Sequence, residues 1–262
     1  MRTLLIRLPL LALALILLAA AGLAADPKDQ VLPDGEYPKV VASQTKVLEE
    51  ALKAAGETTD PKLKKMTIEK AKVAAIMIAV AAQENLGGAE GQQRATLRDA
   101  ALAIAKLLNP TSPNVAEAQK LAAALATLKA DGKAKLEKVK ILDAHADMPE
   151  IMTQFKLPKG GGQGIEALYI KLGLDKKKAV PATAMNEALL VHAYQSALVG
   201  MLVRDYKPNK DVKKWQAYSE DMQKYGIEFA NVLRDKMPDG KAAFTALSKL
   251  NTSCSQCHEV FK

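Results

Sequence analysis

Trp215, Tyr218, Met222, Tyr225 and Phe229 follow one another at intervals of three and four residues, which places them on one face of a helix. Leu189, Ala193, Ala197 and Val199 to Met201 mark one apolar face on the segment before it. The pattern predicts three long helices over about 182–205, 209–235 and 239–262. Upstream, 40–130 is rich in the strong helix formers Ala, Leu, Lys, Glu and Gln. Breaks at Gly56 to Pro61, Gly87 to Gly91 and Asn109 to Pro113 divide it into helices over about 40–55, 61–86, 91–108 and 114–130. Asp60-Pro61 reads as an N-cap followed by proline at the first helical position. Asp147-Met148-Pro149-Glu150 reads as a capping box opening a helix through Phe155. A long loop with Gly160-Gly161-Gly162 and Gly164 follows, carrying a short helical piece around Ile165 to Leu172.

Short connections favour antiparallel neighbours, so the expected fold is all-α, with two four-helix-bundle-like halves over 26–132 and 133–262. A weak internal match aligns Leu107-Leu108 through Leu125 and Leu128 with Val232-Leu233 through Leu247 and Leu250. It would set Gly132, Lys135 and Leu136 at the places of Cys254, Cys257 and His258, making the first half a copy without the chemistry.

Residues 1–25 are a different material. Arg2 and Arg7 precede an apolar block from Leu8 to Ala25 that only Pro9 interrupts, and small residues stand ahead of Asp26. This is the pattern of a secretory signal peptide cut after Ala24 or Ala25, with an uncleaved anchor helix as the alternative. Either way the remainder is expected to be exported, to the periplasm. After cleavage no stable membrane insertion is expected.

Composition narrows the classes further. A 49% hydrophobic, 25% charged chain of 262 residues is long and apolar enough to bury a core, which argues against disorder. Two cysteines exclude a disulfide-stapled scaffold. Loss of Arg2 and Arg7 with the leader leaves 35 basic against 29 acidic residues, a net +6 suited to acidic partners. The longest basic run is Lys176-Lys177-Lys178, and no stretch alternates Arg with aromatics, so nucleic acid is not an expected partner.

The chemistry is concentrated at the end of the chain. Cys254-Ser255-Gln256-Cys257-His258 is C-x-x-C-H, the c-type haem attachment pattern. On a helix its three functional residues share a face. The sulfurs can then form thioethers with the two haem vinyl groups while the imidazole reaches the iron. Both cysteines of the chain are consumed. A thioredoxin-like motif needs a βαβ setting, and a zinc site needs further ligands where only His145 and His192 remain. A short-range disulfide leaves His258 unexplained.

Asn251 to Lys262, NTSCSQCHEVFK, resembles the C-terminal helix of class II cytochromes c, the cytochrome c prime type, whose C-x-x-C-H is followed by an aromatic and a basic residue. Phe261 and Lys262 match those positions. The resemblance covers about the last 115 residues. It implies a four-helix bundle with one haem c near an end, bound through Cys254, Cys257 and His258. It also implies a sixth iron ligand from the bundle's first helix, or an open site behind an apolar side chain. His145, Met148 and Met152 are the candidates, and Met152 matches the family position best. His192 reads as a hydrogen-bonded or surface helical histidine. Trp215 and Tyr218 are expected as walls of the haem pocket.

A Met–His iron implies a periplasmic electron carrier rather than an enzyme, with a redox partner that its basic surface suits. The alternative is a five-coordinate haem protein binding nitric oxide or carbon monoxide. A docking or homodimerising role for the haem-free half is compatible with both.

Overall fold

Asp60 accepts hydrogen bonds from the amides of Lys62 and Leu63 at 2.8 and 3.2 Å, with Pro61 opening the helix behind it. Asn114 and Asn186 cap two further helices in the same way, through the amides of Glu117 and Leu189. Such caps satisfy amides that a helix start leaves unpaired. The computed structural model describes residues 31–261, and the expected signal peptide lies outside them. Among the described residues the secondary structure is helical: α1 Tyr37–Glu57, α2 Pro61–Glu84, α3 Gly91–Leu107, α4 Val115–Ala124, α5 Met148–Met152, α6 Ile165–Gly173, α7 Glu187–Val203, α8 Val212–Arg234 and α9 Gly240–Phe261. None of these helices is long and apolar enough to cross a membrane.

α1 packs on α2, α2 on α3, α3 on α4, and α4 returns to α1, which closes a four-helix ring. In the second half α7 packs on α8, α8 on α9, and α9 on α6. One hydrophobic core runs through both groups. Its centre is α2, where every residue from Ala71 to Ala82 is buried. α7 was expected to show one apolar face. Instead Leu189 to Gly200 are buried on all sides except at His192, because α8 covers one flank and α1 and α2 cover another.

Two other expectations are corrected. The helix expected over 114–130 stops at Ala124, followed by a single turn of 3₁₀ helix, Leu125–Thr127. Beyond it the backbone is held non-helically against α3. Arg98, 1% exposed, donates to the carbonyls of Lys135 and Glu137, while Gln92 donates to those of Asp131 and Ala134. The Thr96 hydroxyl accepts from the Asp131 amide at 2.9 Å. Gly132, Lys135 and Leu136 therefore lie in turn and coil, and the internal match to the helical Cys254, Cys257 and His258 does not hold.

The α7–α8 crossing depends on missing side chains. A Cβ at Gly200 would stand 2.6 Å from the Gln223 amide nitrogen and 2.7 Å from the Ser219 carbonyl oxygen. Gly226 makes the reciprocal approach to Ala193 and Ala197. Backbone cannot move aside as a side chain can. Gly200→Val is expected to cost ~3 kcal/mol or more in urea unfolding. Gly35→Ala, with nothing within 4 Å of the added Cβ, should stay within about 0.5 kcal/mol. Equal effects would remove close packing as the reason.

Candidate functional site

Asp147 caps α5 as the sequence implies, accepting from the Glu150 amide at 2.8 Å. The other half of the expected capping box is absent, because the Glu150 carboxylate is taken by Lys72 of α2 at 2.7 Å. Both side chains are largely buried, so this ion pair fixes α5 against the central helix. α5 is a single α-helical turn and continues as 3₁₀ helix to Phe155, which puts Met152 at the junction.

α9 carries Cys254, Cys257 and His258 in its last turns. All three line one cavity of about 300 Å³, and Met152, Trp215 and Tyr218 line it too. The six residues singled out from the sequence thus meet in one place, although they come from three separate helices. Met148 packs on the core without lining this cavity. His145 lines a different hollow, beside Lys72, Asp147 and Glu150. Burial, helped by Lys106 and Lys72, lowers its pKa. His192 is hydrogen-bonded as expected, Nδ1 lying 2.7 Å from Gln195 Oε1, and burial lowers its pKa as well.

The walls are held by cross-links between elements. The Trp215 indole N–H donates to the Val203 carbonyl at 2.7 Å. Its ring stands edge-on to Tyr206 at 5.4 Å and to Phe261 at 5.2 Å, so the aromatic after the C-x-x-C-H helps lock α9 onto α8. The Ser253 hydroxyl donates to the Tyr218 carbonyl at 3.2 Å, and the Asn251 carboxamide donates to the Tyr169 carbonyl at 3.1 Å. Of the aromatic stripe on α8, Trp215, Met222 and Phe229 are buried, whereas Tyr218 and Tyr225 are only partly covered. Tyr225 lines a different groove.

Tyr169, Glu166 and Asn251 line the cavity and were not anticipated. Tyr169 is buried, shares a hydrogen bond with Ser196 at 3.1 Å and meets the Phe229 ring edge-on at 5.9 Å. The available signal was the Ile165, Tyr169, Leu172 spacing on α6, which marks a buried face.

The two cysteines are free thiols. Burial, with smaller contributions from Cys257 and Glu166, pushes the Cys254 thiol up to about 12, and burial also raises that of Cys257. Redox-active C-x-x-C thiols are shifted the opposite way. Among the described residues no group of three or more His, Cys, Asp or Glu side chains is placed to hold a bare metal ion. An iron porphyrin asks less of the chain, since four of its ligands are its own. Two neutral thiols and an imidazole on one helix, facing Met and aromatic walls, are a donor set that fits it.

No protein-family description, curated protein or solved structure matches the chain.

Proposed function

We propose that the protein is a c-type cytochrome that carries one covalent haem on α9 and transfers electrons through it. The observation behind this reading is the convergence of Cys254, Cys257, His258 and Met152 on one cavity walled by Trp215 and Tyr218. Cys254 and Cys257 would tether the group, each through the thioether that results when its S–H adds across one vinyl bond. Burial, which raises the pKa of both thiols, suits that role better than it suits thiolate redox chemistry. His258 of α9 and Met152 at the end of α5 would hold the iron, since both line this cavity. Trp215 and Tyr218 keep water from the site. When bound, the haem supplies an iron that takes up and releases one electron, at a potential raised by Met–His ligation. The protein is a carrier rather than an enzyme, and residues 1–25 direct it to the periplasm.

An optical spectrum of the reduced, secreted protein, recorded with and without carbon monoxide, tests the reading. Sharp alpha and beta bands indifferent to the gas are expected. A broad high-spin spectrum that changes with carbon monoxide would replace electron transfer by gas binding. No haem absorbance, from a host with haem-maturation machinery, would overturn both.

A further inference from the structure

A second hollow, of about 880 Å³, adjoins the same helix. It is formed by α8, α9 and the loop after α6. Lys177, Lys178, Lys241 and Lys249 line it against a single carboxylate, Asp221. Lys249 is paired with Glu228 and lies over the Tyr225 ring at 5.7 Å. The ammonium groups of Lys177, Lys178 and Lys241 have no ion-pair partner among the described residues, and all three residues are exposed. Their placement is fixed by backbone: the Val180 amide donates to the Gly240 carbonyl at 2.8 Å, which clamps the lysine loop to the start of α9. Lys178 itself is held at φ +50°, a conformation that costs a side-chain-bearing residue energy.

The groove reaches the haem-attachment motif. Ser253 lines both it and the site cavity, and Gln256, between the two cysteines, lines the groove. A partner seated there would lie against α9, the helix that carries the motif. We infer that this groove is the docking surface for an acidic protein partner, which delivers or receives the electron across α9. This rests on the electron-transfer reading above. The chemistry favours a protein. The surface is concave where a bilayer is flat, and its cations are all lysines, without the arginines that grip phosphates in bidentate fashion. Tyr225 and Phe244 add an apolar wall beside the charges, suited to a folded surface or peptide carrying carboxylates.

The test uses the full secreted protein and a fluorescein-labelled oligoglutamate peptide, with binding followed by anisotropy at low ionic strength. Lys177→Glu, Lys178→Glu and Lys241→Glu combined should weaken binding at least about tenfold. Lys46→Glu, Lys53→Glu and Lys120→Glu combined make the same change in net charge on exposed lysines of the first half, and should weaken it less than about threefold. Equal weakening by both sets overturns the groove. Tighter binding of phosphatidylglycerol vesicles or a single-stranded oligonucleotide than of the peptide overturns the partner class. If circular dichroism shows the triple variant unfolded, the milder pair Lys177→Gln with Lys241→Gln must still weaken binding more than Lys46→Gln with Lys53→Gln. Haem absorbance in the same samples reports separately on the carrier reading: groove-dependent binding by a haem-free chain keeps the docking surface and removes electron transfer.

Discussion

Replacing Cys254 and Cys257 together by serine removes all covalent haem from the secreted protein, as read by haem staining of denatured gels. The prediction rests on supply: the chain has two cysteines, both on one face of α9 and both lining one cavity, so no other thiol can take over. Each single variant keeps one thioether and shifts the pyridine haemochrome band without abolishing the stain. Serine is close to isosteric and both positions lie within α9, so the all-helical circular dichroism should persist. Covalent haem retained by the double variant would place the attachment elsewhere.

Met152→Ala gives the second large effect, a reduced protein that binds carbon monoxide where the parent does not. Met152 lines the same cavity as His258, so under the proposed ligation its loss would open one coordination position. The reduction potential should then fall by the order of 0.1 V or more, within the ~0.8 V range that axial ligands command. Met148→Ala is the control, because Met148 lies on the same helix and packs on the core without lining the cavity. An unchanged spectrum in Met152→Ala, or the same change in Met148→Ala, removes Met152 from the iron.

Local chemistry made much of this legible in advance. The Asp60 and Asp147 caps act through amides two and three residues away, and a sequence carries such contacts openly. The same holds for C-x-x-C-H, whose geometry is set by helical spacing alone. The features that the sequence concealed depend on residues far apart. Leu125 to Ala130 has helix-forming composition, yet the backbone beyond Ala124 leaves the α-helix where Gln92, Thr96 and Arg98 offer hydrogen bonds to the backbone between Asp131 and Glu137. α7 looks one-sided until α1 and α2 are seen to cover its other flank. Tyr169 enters the site with α6, which is tied to α9 through Asn251 and to the core through Ser196 and Phe229, all residues far away in sequence.

The most direct test of haem attachment is mass spectrometry of the tryptic peptide Leu250–Lys262 from protein secreted by a host with haem-maturation machinery. The expected result is the peptide mass plus one haem, stable to acid and denaturant, with both sulfurs unavailable to alkylation. A peptide of unmodified mass whose Cys254 and Cys257 both alkylate, or alkylate only after reduction, would contradict the reading of this site.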